Sequence, residues 1–148
     1  MTAKSKRQKL FLSYSHKDKK YRTELSAHLK MLERYAEIDS WTDQAIGAGA
    51  FWRVEIEAAF KAADGCLLLV SQHSLTSDFI CNEEVEPFLR RHRRIFPILV
   101  RDCDWKTVDW LKARQIRPDA AKPLNTLRPA QRDTAFRLIC EEIRGLLK

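Results

Sequence analysis

The sequence lacks the features that mark several common classes of protein. No apolar run approaches the roughly 20 residues that a membrane-spanning helix needs. The basic start, MTAKSKRQK, is too short and too polar for a signal peptide. The four cysteines show neither a CxxC motif nor a zinc-ligand spacing with histidine. We therefore expect a cytoplasmic protein with reduced, buried thiols, no metal site and no membrane contact.

Three ligand-binding motifs of α/β proteins are also missing. The stretch GAGAFW supplies Gly47 and Gly49, but Trp52 stands where a dinucleotide-binding fingerprint needs its third glycine. No GxxxxGK[ST] sequence is present to form a phosphate-binding loop. No acidic residue ends the third predicted strand, as a phosphoacceptor receiver domain would require.

The composition is that of one globular domain. The chain has 148 residues, of which 45% are hydrophobic and 32% are charged, and its net charge is +7. Dense basic clusters occur only at Lys4 to Lys9 and at Arg90 to Arg94, and no aromatic residues interleave with them to stack on bases. We interpret residues 1–8 as a disordered basic tail and the second cluster as a helix end, where cations suit the helix dipole. Direct binding of nucleic acid is not expected, whereas attraction of a small anionic substrate stays open.

Hydrophobic spacing predicts strands that alternate with helices. Strands are expected at residues 10–14, 38–41, 65–71 and 94–100, with a short fifth strand near Pro123 to Asn125. Helices are expected at about 17–33, 51–62, around Glu84 and at 130–147. This order predicts an α/β fold, an open parallel sheet with helices on both faces. Pro97, inside the fourth strand, favours a position near an edge of that sheet or at a bulge.

In a sheet of this kind, ligands bind beyond the carboxyl ends of the strands. That edge carries Tyr14 to Lys17, Trp41 to Ala50 and Ser71 to Glu84. Ser13, near the end of the first strand, and Ser15 and Asp18, which follow it, are candidate helix caps.

The adjacent acids Glu83 and Glu84 allow two interpretations. Acids near the start of a helix are favoured by the helix dipole and need no further role. Alternatively, one carboxylate stabilises the oxocarbenium-like sugar that forms when an N-glycosidic bond breaks. A cationic pyridinium leaves as a neutral base without a general acid, so a single glutamate would suffice to release nicotinamide from NAD+. The residues alone leave both interpretations open.

Four segments of the chain, in this order, resemble a Toll/interleukin-1 receptor (TIR) domain of bacterial type. They are LFLSYSHKD, DSWTDQAIGAGAFWRVEIEAAFKAADGCLLLVS, SLTSDFICNEEV and IFPILVRDCDW. The resemblance covers about residues 9 to 147, so we expect a TIR domain over 9–148. It implies a flavodoxin-like open parallel sheet of about five strands with helices on both faces.

The resemblance implies one of two functions. Many bacterial TIR domains are NAD+ hydrolases or cyclases that become active when they assemble, often in antiphage defence or cell death. Others are adaptors that recruit further TIR domains without catalysis, or effectors that mimic host adaptors. The pattern of the enzymes places the catalytic glutamate at Glu84, with Glu83 as its solvent-facing neighbour. Ile80 stands where many active members have tryptophan, and a shifted register would instead pair Phe79 with Glu83.

The resemblance also implies a nucleotide pocket. Ser13, Tyr14 and Ser15 would line it, and Lys17 would pair with the pyrophosphate. Trp41 would stack on the dinucleotide, unless it is a core residue. The loop from Asp43 to Phe51 would gate the site and mediate assembly. NAD+ is then the substrate with no separate cofactor, and the implied partners are other TIR domains and a fused or separate sensor module.

Overall fold

The computed structural model describes residues 7–41, 58, 61–119 and 122–147. Its sheet contains four parallel strands in the order β2-β1-β3-β4. The strands are β1 Gln8–Ser13, β2 Ile38–Trp41, β3 Gly65–Val70 and β4 Arg94–Leu99. All six residues of β3 are buried, as its unbroken apolar sequence predicted for a strand covered on both faces. The predicted flavodoxin-like α/β fold is confirmed.

The helices that the structure describes from end to end are two long ones and several short ones. The α-helices are α1 Lys19–Tyr35, α2 Gln72–Leu75, α3 Glu86–Arg90, α4 Asp109–Lys112 and α5 Pro129–Leu146. A π-helical segment, Phe79–Val85, runs directly into α3. Single 3₁₀ turns occupy His16–Asp18, Trp105–Thr107 and Leu124–Thr126. The stripe predicted on the first helix is confirmed, because Tyr21, Leu25, Leu29 and Leu32 are all buried.

Two separate apolar layers cover the sheet, one on each face. Alternate residues of β3 point to opposite faces, so Leu67 and Leu69 join one layer while Cys66 and Leu68 join the other. The first layer packs under α1 and α5, and we call this side the α1/α5 face. The second packs under the π-helical segment, α3 and α4, and we call it the π face.

The fourth strand has the edge position that its proline predicted. β4 pairs with β3 on one side, and on the other side the carbonyl of Pro97 accepts a hydrogen bond from the Arg117 N–H at 3.1 Å. On this side, the described residues pair with β4 through one isolated parallel bridge, between Ile98 and Arg117. A proline is tolerated at this place because an edge strand does not need every N–H for the ladder.

The fifth strand predicted near Pro123 to Asn125 is wrong. Those residues lead into the 3₁₀ turn Leu124–Thr126, in which the N–H of Leu127 bonds to the Leu124 carbonyl at 3.1 Å. Leu124 is fully buried in the layer of the α1/α5 face, so its apolar character reflects core packing.

Other predictions fall partly outside the described residues. Residues 1–6 of the expected basic tail lie outside them, whereas Gln8 already pairs in β1. The loop from Asp43 to Phe51 lies wholly outside. Of the helix expected over 51–62, residues 58, 61 and 62 are described, and they are helical.

Candidate functional site

A buried hydrogen bond joins the carboxyl end of the sheet to the π-helical segment. The Ser13 Oγ donates to Glu84 Oε1 at 2.7 Å. Ser13 is 0% exposed and Glu84 only 2%. Ser13 ends β1 and follows Phe11 by two residues, so both point to the π face, where Phe11 stacks on Phe88 with ring centroids 6.3 Å apart. The strand thus aims a hydroxyl group at the acid.

The π-helical segment explains how Glu84 comes to be buried. Its hydrogen bonds run over five residues, as from the Glu86 N–H to the Cys81 carbonyl. This wide turn lets Ile80 and Val85, five residues apart, enter the apolar layer together. Glu84 turns inward beside them while Glu83 is exposed. Segments of this rare kind are found frequently at functional sites.

Glu84 does not lie near the start of a helix, as the interpretation by the helix dipole requires. The helical stretch begins at Phe79, and Glu84 is the second-last residue of the π-helical segment. The first turn of α3 instead contains Glu86, with Pro87 at its start. The dipole of α3 therefore does not account for this acid, whereas Ser13 donates a hydrogen bond to it.

A second buried polar group ties together the ends of three strands. Asp18 is 0% exposed and accepts a hydrogen bond from Ser71 Oγ at 2.5 Å and one from Arg101 Nε at 2.9 Å. The three residues follow β1, β3 and β4. Asp18 makes no side-chain cap, so its predicted capping role is wrong. The sequence analysis missed Arg101, whose signal was its position directly after a buried strand.

Ser71 links this group to the start of the next helix. Its hydroxyl group accepts from the Ser74 N–H at 3.3 Å, and the Ser74 side chain accepts from the Ser71 N–H at 3.1 Å, which makes a capping box on α2. The carbonyls of Ser74 and Leu75 in turn lie 3.6 and 3.5 Å from the Sγ of Cys81. Polar contacts therefore run from Asp18 to the π-helical segment.

The other predicted site residues are spread over the two faces. Ser15 caps the turn after β1 by accepting from the Lys17 N–H at 3.3 Å, and Lys17 is exposed. Tyr14 packs in the layer of the α1/α5 face, on the opposite side of the sheet from Ser13. Ile80 is a core residue of the π face. The structure thus brings Ser13 and Glu84 together and points Tyr14 away from them.

Two of the predicted residues lie where the structure gives no side chain. Trp41 ends β2, and its side chain lies outside the described part of the structure. Asp43 lies outside the described residues altogether.

The thiols are unsuited to nucleophilic chemistry. All four cysteines are free, and Cys66 and Cys140 are buried. Burial, and then the negative charge of Glu84, raise the pKa of the Cys66 thiol well above its usual value. Burial raises the pKa of Cys140 to about 11. Because the thiolate is the reactive form, these groups stay inert at neutral pH.

Two other types of site are absent from the described residues. Within 7–41, 58, 61–119 and 122–147, no three histidine, cysteine or acidic side chains converge as a metal site. The helices in those ranges include none with the length and apolar character needed to cross a bilayer.

Solved structures of similar fold include a TIR domain and a SEFIR domain. The TIR domain of the Toll-related receptor TRR-2 from Hydra magnipapillata has a TM-score of 0.64 at 19% identity, over 91% of this chain and 97% of that one. A prokaryotic SEFIR domain has a TM-score of 0.53 at 15% identity, over 94% of this chain and 91% of that one. At these identities the likeness concerns the fold alone.

The sequence itself assigns the family. Residues 10–128 match the family model of the TIR domain. The chain belongs to the TIR domain family. It is also 32% identical over 139 residues to the uncharacterized protein y4lF of Sinorhizobium fredii (strain NBRC 101917 / NGR234), a match that covers 91% of this chain and 42% of that protein.

Proposed function

We propose that this TIR domain cleaves NAD+ between nicotinamide and ribose and that self-assembly of TIR domains activates it. The observation that carries the proposal is the position of Glu84, enclosed at the carboxyl end of the sheet and held by Ser13 at 2.7 Å. The edge where this acid lies is the one at which open α/β sheets bind their ligands. A cytoplasmic location, where NAD+ is available, and a role in bacterial defence or cell-death signalling belong to the same proposal.

The chemistry assigned to Glu84 is electrostatic. When the bond from the ribose C1′ to the pyridinium nitrogen breaks, its electron pair neutralises the nicotinamide ring. Positive charge then develops on the ribose, where a fixed carboxylate stabilises it. Water adds to C1′ and releases a proton to give ADP-ribose, or a nucleophilic atom of the adenine adds instead to give a cyclic product. Ser13 would fix the carboxylate so that no reorganisation is needed as charge develops.

A second candidate function is that of a non-catalytic TIR–TIR interaction module. It is favoured by the same acid's 2% exposure and by Ile80, which fills the core where many active relatives have tryptophan. In this view Glu84 only fastens the π-helical segment to β1.

The two functions differ in whether the protein releases nicotinamide from NAD+. The concentrated protein is incubated with NAD+, and nicotinamide is measured by liquid chromatography for the wild type, Glu84→Gln and Glu83→Gln. We expect Glu84→Gln to reduce the rate by about 100-fold or more, since it keeps the shape of the side chain and removes its charge. Glu83→Gln is the matched control, because Glu83 is exposed, and it should leave the rate within about twofold.

Dependence on concentration tests the role of assembly. The rate per molecule should rise as the protein is concentrated and fall back on dilution. Absence of nicotinamide at every concentration would support the interaction module. A Glu84→Gln variant as active as the wild type would refute the assignment of the acid.

A further inference from the structure

A cationic groove lies beside the outer edge of β4, away from Glu84. It is a cavity of about 390 Å³ between β4, α5 and residues 114–117. Its lining begins with His92, before β4, and continues along the strand to Ile98. The groove therefore flanks the edge of the sheet, whereas Glu84 lies beyond the carboxyl ends of the strands.

Positive charge dominates the lining of this groove. The lining contains four arginines and one acid, which together carry a net charge of +3. They are Arg93, Arg94, Arg114, Arg117 and Glu142. Arg117 forms an ion pair with Glu142, in which its Nε lies 2.7 Å from Oε2 and its Nη2 lies 2.8 Å from Oε1. The other three form no ion pair with an acid of the described residues.

Two of these arginines are held in place by neutral groups. Arg93 donates to the carbonyls of Lys61, at 3.1 Å, and Ala63. Arg114 donates to the carbonyl of Trp110. Carbonyls fix a guanidinium without cancelling its charge. Guanidinium groups held in this way suit phosphate, which they bind through paired hydrogen bonds.

One wall of the groove is apolar. Ile139, Ile143 and Leu146 of α5 contribute to it, and Leu146 is exposed. A bare anion would leave this surface unused. A ligand with both a phosphate and a flat apolar ring would use both walls, and the cavity volume falls within the range of about 300–1,000 Å³ that is typical of small-molecule sites.

The edge of β4 is poorly suited to a peptide strand. Pro97 has no N–H, its carbonyl is already bonded to Arg117, and the N–H of Leu99 bonds to the Arg117 carbonyl at 2.6 Å. A strand added here would find few backbone partners. Recognition by side chains is therefore favoured over strand addition.

We propose that this groove binds a phosphorylated small molecule with a ring, of the nucleotide class, at a site separate from Glu84. The arginines hold the phosphate and α5 contacts the ring. The proposal does not depend on the cleavage of NAD+, because it concerns other residues at another part of the sheet.

The test is a calorimetric titration with AMP, pyrophosphate and adenosine as probes. The groove variant Arg94→Gln/Arg114→Gln is compared with Arg90→Gln/Arg137→Gln. The control removes the same charge from exposed arginines that pair with Glu86 and Glu141 outside the groove. We expect the groove variant to raise the Kd for AMP about tenfold or more, since charge-assisted hydrogen bonds are lost, and the control to change it less than about twofold.

Each probe has an outcome that overturns part of this proposal. If the groove variant and the control raise the Kd for AMP equally, the net charge of the protein explains the binding and the groove does not. AMP binding unchanged by the groove variant would place the ligand elsewhere, including at the carboxyl end of the sheet. If the Kd for pyrophosphate equals that for AMP, the apolar wall has no role in binding. If the Kd for adenosine equals that for AMP, the arginines have none. Circular dichroism of both variants checks that they are folded.

Discussion

The two faces of the sheet are built in different ways. The α1/α5 face is covered by two regular helices, α1 of 17 residues and α5 of 18. On the π face, the elements described from end to end are pieces of four to seven residues, one of them π-helical. The buried acid Glu84 belongs to this second, irregular face. Among the described residues, long regular helices are therefore absent from the face where a polar group enters the core.

The cost of that arrangement differs between the faces. A long amphipathic helix buries a continuous stripe with its backbone hydrogen bonds complete. A buried carboxylate instead needs a donor, because an unpaired one is strongly unfavourable. The α1/α5 face should therefore supply most of the stability, and the π face should depend on a few polar contacts.

Truncation of a core side chain on the α1/α5 face should give the largest effect. Phe136 of α5 is fully buried, so Phe136→Ala should lower the free energy of unfolding by about 3–5 kcal/mol. Leu138→Ala is the control on the same helix, where the side chain is 51% exposed and about 0.5 kcal/mol or less is expected. Urea unfolding measures both. If Phe136→Ala and Leu138→Ala have similar free energies of unfolding, the α1/α5 face does not supply most of the stability.

Removal of the cation beside Asp18 should come next. Arg101→Ala leaves a fully buried carboxylate without its charged partner, and we expect a loss of about 2–3 kcal/mol. The value lies at the low end for buried pairs, because the Arg101 side chain is 35% exposed. Arg101→Lys keeps the charge and should recover part of the loss. If Arg101→Ala unfolds at the same urea concentration as the wild type, the strand ends do not depend on this pair.

Loss of the hydroxyl group that holds Glu84 should have a smaller and more local effect. Ser13→Ala should cost about 1–2 kcal/mol, since one hydrogen bond to a buried carboxylate is lost. Hydrogen exchange should rise in the π-helical segment and stay unchanged in α5. The control is Ser15→Ala, which removes a cap from a surface turn and should leave exchange in the π-helical segment unaltered. Faster exchange throughout α5 in Ser13→Ala would show that the two faces are not separable.

An ion pair at the outer strand should have the smallest effect, and it should depend on pH. The hydrogen bond from Arg7 lowers the pKa of Asp39 below its usual value of 3.8. The pair therefore stabilises the fold above about pH 4. Its contribution is lost as the pH falls through the lowered pKa.

The variant Asp39→Asn isolates that contribution. Its unfolding midpoint should lie slightly below that of the wild type at neutral pH, and the two should converge in acid. High salt should narrow the difference, because both side chains are partly exposed. A difference that grows in acid would reverse the sign assigned to this pair.

The regular half of the molecule could be predicted from sequence because its signals are local. The spacing of Tyr21, Leu25, Leu29 and Leu32 predicts α1 without knowledge of anything else in the chain. An unbroken apolar run predicts β3, and Pro97 predicts an edge strand. Each of these patterns reports a preference of neighbouring residues alone.

The irregular half could be predicted only in part. The family resemblance selects Glu84, and the structure shows it buried while Glu83 is exposed. A π-helical turn has no simple period in FICNEEV, and Arg101 meets Asp18 across 83 residues of sequence, a contact that only the strand order creates. The false fifth strand has a similar cause, since Leu124 is apolar for packing and not for pairing.

The strand order has a consequence for how the protein is made. A ribosome delivers β1 and β2 first, but the other neighbour of β1 is β3, which emerges much later. Glu84, which accepts the hydrogen bond from Ser13, follows it by 71 residues in the sequence. Until β3 is synthesised, the two described strands β1 and β2 are too few for a stable sheet. The acid is enclosed only after β3 and the π-helical segment have both been made.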